Sequence, residues 1–379
     1  MRAEPNLPPE ALAAIRAPFL AAGAEAVDAP ILQPLGLILE LAGEAMRARL
    51  FVVQAEGGQE TCLRPDFTVA VARQHLDSGK AAGRYFYEGK AFRASPDADR
   101  PEEFRQIGLE RFDDAGASAV EADAQIAALA WSAAQAGGRS DLSLWLGDIA
   151  LFAAFIDAQG LAPALADRLK RGAARPRLLA AELARAGAEP QATAESGKLA
   201  GLLSGLSEAE AATVLEEVWA LAGIEPVGGR GPAAIAQRLI RRAQAASAPA
   251  LTLEQADSIA RFLAVDDAPQ AAFTAIRAIA GAKAPALDTA LGDWTQRLDL
   301  LAQAGVPVEQ TRFATALGHA FDYYDGLTFE VRSAALDHDR AVAVGGRYDG
   351  LPARLGGDAG RRAVGCMVRP WRAWAGGES

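Results

Sequence analysis

Strand signals occur in two blocks separated by a long helical one, and that order limits the folds open to this chain. Residues 84–94 and 103–113 alternate aromatic and aliphatic side chains with polar ones, the period of a half-buried strand. The turn formers of Ser95-Pro-Asp-Ala-Asp-Arg-Pro101 lie between them, so an antiparallel pair joined by a long loop is expected. From about 148 to 305 alanine dominates and aromatic residues thin out, which favours helices. Ser207 with Glu210 and Thr252 with Gln255 fit the capping-box spacing, and Gly160, Gly187 and Gly223 suit helix stops. After Pro307, strand character returns at 312–317, 327–333 and 340–345, punctuated by glycines. Strands on both sides of a helical run predict an α+β fold: an antiparallel sheet flanked by helices, with a helical insertion. The expected division is a discontinuous domain of residues 1–160 and 285–379, with a mostly helical insertion over 161–284.

Shorter elements fill the first block. Residues 9–22 read as a helix opened by Pro8-Pro9 and closed by Gly23, with Pro18 expected to kink or shorten it. A short strand over Glu25 to Val27, a hairpin of 50–56 with 59–64 around Gly57-Gly58, and helices over 66–78 and 118–136 complete it. The formal net charge of −10 counts against a chain built to grip nucleic acid. Two cysteines and three histidines without Cys-x-x-Cys or His-x-x-x-His spacing count against a metal site and fit a reducing cytosol. Early acidic residues (Glu4, Glu10, Glu25, Asp28) and the lack of an apolar run of membrane length predict a cytoplasmic protein without signal peptide or membrane span.

Four segments could carry chemistry. In Leu63-Arg64-Pro65-Asp66-Phe67-Thr68, Asp66 and Thr68 stand at a helix start, where a carboxylate and a hydroxyl either cap the helix or grip an ammonium group. In the strand pair, Tyr85, Tyr87, Gly89, Ala91 and Arg93 share one face, as do Gln106, Gly108, Glu110 and Phe112. Arg93, Gln106 and Glu110 would then line one side of a sheet, with Gly108 leaving room for a ligand; the other reading is a solvated face. In Leu317-Gly-His-Ala-Phe-Asp-Tyr-Tyr-Asp-Gly326, adjacent tyrosines are expected on opposite sides, one of them inward, unless they serve hairpin packing. Gly345-Gly-Arg-Tyr-Asp-Gly350 allows close backbone approach or a strand-end turn, and lacks the Gly-Lys-Ser/Thr of a phosphate loop.

Taken in order, these segments resemble histidyl-tRNA synthetase over most of residues 9–150 and 305–372. Gly23 to Pro34 looks like the class II motif 1, which packs that family's dimer interface. Tyr87 to Glu110 looks like motif 2, and the Asp322-Tyr323-Tyr324 and Gly345–Gly350 segments look like the two histidine-specific peptides. The resemblance implies a class II synthetase-like fold and a histidine pocket. Asp66 and Thr68 would hold the α-ammonium, with Phe67 between them counted in the pocket. Gln106 would bond the amino or carboxylate end, Arg93 would face the carboxylate end, Glu110 and Tyr324 would read the imidazole, and Tyr323 would shape the pocket. A zwitterion carrying an imidazole needs such a set.

The departures fall on the nucleotide side. His319 stands where a synthetase has arginine, and loss of such a phosphate-facing arginine removes on the order of 10³–10⁵ in rate. Ser95 replaces the motif 2 glutamate, and Arg369, Pro370 and Trp371 replace the motif 3 glycine, leucine and glutamate. Asp66 is one methylene shorter than the usual glutamate. No counterpart of the anticodon-binding domain is expected before the last residue, Ser379. The pattern is similar to the regulatory-subunit family of ATP phosphoribosyltransferase. That similarity implies a noncatalytic chain needing no cofactor or metal, homodimeric through the motif 1 region. It would assemble with the short-form ATP phosphoribosyltransferase catalytic subunit, which joins ATP to phosphoribosyl pyrophosphate in the first step of L-histidine biosynthesis. L-histidine would be the feedback effector, with no tRNA and no membrane as partner. The alternative is a truncated histidyl-tRNA synthetase or another synthetase-like paralogue.

Overall fold

A computed structural model describes residues 2–54, 57–173, 176–187, 208–222, 250–281, 284–318 and 323–377. The Ser207–Glu210 pairing, Gly223, His319 and Asp322 fall wholly or partly outside these residues. The chain divides into two compact units, residues 1–154 with 262–379, and residues 155–261.

The first unit carries the strands β1 (Glu25–Ala26), β2 (Leu32–Pro34), β3 (Val52–Val53), β4 (Thr61–Leu63), β5 (Gly83–Phe92), β6 (Glu103–Asp113), β7 (Leu142–Asp148), β8 (Asp266–Asp267), β9 (Thr311–Ala314), β10 (Leu327–Ser333), β11 (Ala343–Arg347) and β12 (Arg362–Val368). Nine of them form one sheet in the order β1-β5-β6-β12-β11-β10-β7-β9-β8, and β2-β4-β3 form a second, small one. The expected antiparallel pairings β5–β6 and β3–β4 are present. The large sheet is nonetheless mixed, because β1 runs parallel to β5 and β7 parallel to β9.

Three of its strands are absent from the sequence reading: the two-residue β8 inside the expected helical run, β7 and β12. β12 is buried along nearly all its length, so Ala-Val-Gly-Cys-Met-Val does not alternate; such a run is hard to tell from a buried helix segment. β7 does alternate in its first half, with Leu142, Leu144 and Leu146 buried between half-buried Ser143 and Trp145.

The helix Pro9–Ala21 runs on past Pro18, so the proline does not shorten it. Ile15 and Phe19 flank the proline and are fully buried, Phe19 against Phe86 with ring centroids 6.2 Å apart. That packing holds the last turn despite the backbone bond proline cannot make. The helix Ala119–Gln135 lies against β10, β11 and β12. Its buried face is mostly alanine (Ala122, Ala127, Ala130, Ala134) with Trp131, which lets helix and sheet approach closely. Asp123, fully buried on that helix, takes Arg297 at 2.9 Å and Arg347 at 2.7 Å. Such a triad is satisfied only when all three members are present.

The second unit contains the helices Pro163–Gly172, Pro176–Ala184 and Glu208–Ala222 and most of Leu253–Leu263. Its capping box forms as expected: the Thr252 N–H donates to Gln255 Oε1 at 3.0 Å and the Gln255 N–H to Thr252 Oγ1 at 3.1 Å. Gly160 and Gly187 both take the positive φ of a helix stop, +62° and +73°.

Candidate functional site

The strand register fixes which side chains meet. Tyr85 pairs with Glu110, Tyr87 with Gly108 and Gly89 with Gln106, so the two polar faces coincide. Gly108 serves a different purpose from the expected one. A Cβ there would lie 2.3 Å from Tyr87 Oη and 2.4 Å from the Cys366 carbonyl, so the missing side chain makes room for Tyr87 and for β12. Gly365 of β12 pairs with Glu110, and a Cβ on it would sit 1.6 Å from Glu110 Oε2. The Glu110 carboxylate thus lies directly across a glycine.

Three hydroxyls converge on that carboxylate. Thr68 Oγ1 donates to Oε1 at 2.7 Å, Tyr87 Oη to Oε1 at 3.3 Å, and Tyr348 Oη to Oε2. Glu110 is 1% exposed. Burial, opposed by these bonds, pushes its pKa up to about 7. Loss of hydration outweighs three donors because hydroxyls carry no net charge.

Asp66 precedes the helix Thr68–Asp77. Its carboxylate accepts the Tyr323 hydroxyl at 3.4 Å and lies near the backbone N–H groups of Thr68 and Val69, which favour its ionised form. It lines the cavity, and the helix start has no side-chain capping bond among the described residues. Burial raises its pKa, against the neighbouring Arg93 guanidinium. Thr68 does not cap, because its hydroxyl goes to Glu110.

Phe67 stands behind the wall. It stacks on Tyr87 at 4.5 Å and 7°, with the Arg64 guanidinium 3.9 Å from its ring centre, so it props Tyr87 and does not line the cavity.

Tyr323 and Tyr324 both face the cavity, with ring centroids 4.7 Å apart. The expectation that they point to opposite sides fails because residues 323–325 are not a strand. Tyr348 meets both edge-on, at 5.7 and 6.1 Å.

Gln106 is fully buried, yet neither Oε1 nor Nε2 has a hydrogen-bond partner among the described residues. Its place on the cavity wall leaves both its donor and its acceptor open to whatever fills the cavity.

These elements enclose a cavity of about 300 Å³. Asp66, Thr68, Arg93, Gln106, Glu110, Tyr323 and Tyr324, out of the eight expected residues, line it. The sequence reading missed Tyr87 and Arg49 as lining groups, and Tyr348 as the strongest donor to Glu110. Tyr87 is legible from its place on the polar face, whereas Tyr348 meets Glu110 from 238 residues away and no local pattern marks it. The wall carries buried acids (Asp66, Glu110) and several arginines, Arg93 being the charged neighbour of Asp66. Arg93 Nε donates to the Pro65 carbonyl at 2.9 Å. Arg369 lies 3.7 Å over the Phe104 ring and pairs with Glu4. Arg372 donates to the Ala341 carbonyl at 3.1 Å. The wall thus offers acids for a cation, guanidiniums for an anion, and an amide able to donate and accept.

Residues 9–227 and 233–370 match the family model described as histidyl-tRNA synthetase. The ATP phosphoribosyltransferase regulatory subunit of Brucella anthropi is 34% identical over 350 residues, covering 91% of either chain. That of Brucella canis is 35% identical over 347 residues, covering 90% of either chain. The chain belongs to the ATP phosphoribosyltransferase regulatory subunit family. A regulatory subunit of this transferase implies a catalytic partner subunit, and the chain's own role is regulatory, not catalytic. The class II synthetase-like fold agrees with two solved structures. One, titled an ATP phosphoribosyltransferase regulatory subunit/histidyl-tRNA synthetase from Bacillus halodurans, superposes with a TM-score of 0.62 at 20% identity, over 95% of this chain and 76% of that one. The other, a histidine–tRNA ligase subunit from Alicyclobacillus acidocaldarius, gives 0.57 at 20% identity, over 99% and 98%. Among the described residues of the regulatory subunit, no helix is long and apolar enough to cross a membrane.

Proposed function

We propose that the cavity binds free L-histidine and that its occupancy regulates a short-form ATP phosphoribosyltransferase catalytic subunit, which needs this chain for activity. The observation that carries this reading is the polarity of the wall, which brings the buried acids Asp66 and Glu110, the Arg93 guanidinium and the Gln106 amide to one cavity. The α-ammonium belongs on Asp66, the imidazole against Glu110 and Tyr324, and the carboxylate toward Arg93. Histidine can inhibit only in so far as it binds the active and inhibited states of the complex with different affinity.

The same reading makes residues 1–160 and 285–379 the site-bearing domain and 161–284 an insertion, with the chain working in the cytoplasm. It pairs two copies through Gly23–Pro34, where Ile31 and Leu32 stand half exposed, and assigns tRNA no part. Calorimetry on the full chain tests the central claim. Wild type should take up L-histidine and Glu110→Ala should not, since truncating one partner of a buried charge-assisted bond costs about 2–5 kcal/mol. ATP–pyrophosphate exchange by the purified chain would overturn the noncatalytic reading in favour of an aminoacylating enzyme.

A further inference from the structure

Five arginines line the cavity: Arg49, Arg93, Arg100, Arg369 and Arg372. The protein itself occupies four of them. Arg93 and Arg372 donate to carbonyl oxygens, Arg100 is bonded to Asp97 and Asp339, and Arg369 to Glu4. Arg49, at the end of the 3-10 helix Glu44–Arg49, is exposed; its carbonyl accepts the Ala94 N–H at 2.9 Å, next to Arg93, and its side chain has no hydrogen bond or ion pair among the described residues. Its charge acts nonetheless on the cavity. After burial, Arg49 is the neighbour that opposes the Arg93 cation, while Asp66 supports it. Two guanidiniums side by side repel, and the repulsion is relieved when an anion comes between them. Across from them, Asp66 and Glu110 make the mirror arrangement of two mutually disfavouring carboxylates.

We propose that Arg49, together with Arg93, forms the anion subsite of the cavity and makes a free α-carboxylate a condition of tight binding. The subsite rests on the histidine reading given above and adds to it a specificity rule. The cavity should separate the amino acid from its decarboxylated amine, which offers the same imidazole and ammonium without the anion. The energetic scale is that of one partly solvated ion pair, so the expected effect is modest and weakens with salt.

The test is a calorimetric matrix on the full chain: L-histidine and histamine against wild type, Arg49→Gln and Arg49→Lys. Wild type should prefer histidine to histamine. Arg49→Gln should weaken histidine binding by about two- to fivefold, as expected for loss of one such pair, and leave histamine binding unchanged or slightly tighter. Arg49→Lys should recover most of the histidine affinity. Because Arg49 is exposed, the fold should be unaffected, and an unchanged melting curve checks this. Equal weakening of both ligands by Arg49→Gln, or none for histidine, overturns the Arg49 assignment while leaving the histidine reading standing. A wild-type chain that binds neither compound removes the histidine reading and the subsite with it.

Discussion

Replacing Glu110 by glutamine keeps the shape of the side chain and removes the charge the fold pays to bury. The folded-state pKa of about 7, against an ordinary 4.5, means that the fold disfavours the ionised form. The sign follows: the stability associated with this group is complete below about pH 4.5, falls as pH rises toward 7, and is constant above. At about 1.4 kcal/mol per pH unit, the rise corresponds to about 3 kcal/mol lost between those limits. Glu110→Gln should lack this loss. Its hydroxyl neighbours Thr68, Tyr87 and Tyr348 can rotate to accept from the new amide as well as donate to it. The assay is urea denaturation of both proteins at pH 5 and at pH 8 without ligand. Asp66, Asp148 and Asp325 also have raised pKa values and add to the slope in both proteins, so the informative quantity is the difference between the two. Glu110→Gln should gain on wild type by about 2–3 kcal/mol from pH 5 to pH 8, while losing histidine binding. Parallel pH profiles would refute the claim that this carboxylate is strained by burial in the empty cavity.

Two further changes test the supporting structure. Gly365→Ala places a methyl 1.6 Å from Glu110 Oε2 in a strand that cannot move away from β6, so it should cost about 1–3 kcal/mol in a denaturant melt and abolish histidine uptake by displacing the carboxylate. Asp123→Leu strands the buried cations Arg297 and Arg347. It should cost about 3–5 kcal/mol in the same melt, and adding Arg347→Met should restore part of it.

The sequence made the site more legible than the sheet that carries it. The polar face of Arg93, Gln106 and Glu110 follows from strict alternation in two long strands, and alternation survives because the cavity needs polar groups where a core would need apolar ones. β12 lacks that contrast because it is apolar on both sides, and β7 alternates only over its first half before running directly into a helix. Local patterns also say nothing of contacts between distant segments. The bond from Tyr348 to Glu110 spans 238 residues, and Gly108 and Gly365 are explained only by what crosses them. The Tyr323–Tyr324 pair shows the converse error: a strand rule was applied where the chain is a loop, and both rings turn inward.

These observations bear on how a synthetase-like core can act as a sensor. The cavity wall brings together two carboxylates that disfavour each other, two guanidiniums that do the same, and the Gln106 amide. A bound zwitterion would oppose both repulsions at once. A catalyst would direct that free energy at a reacting phosphate; a regulatory subunit can direct it at the balance between two arrangements of the complex. Moving such a balance from 1:99 to 99:1 takes about 5.5 kcal/mol of differential binding. The penalty carried by Glu110 alone is about half of that, so a ligand that relieved it in only one of the two arrangements would supply a large share of the shift.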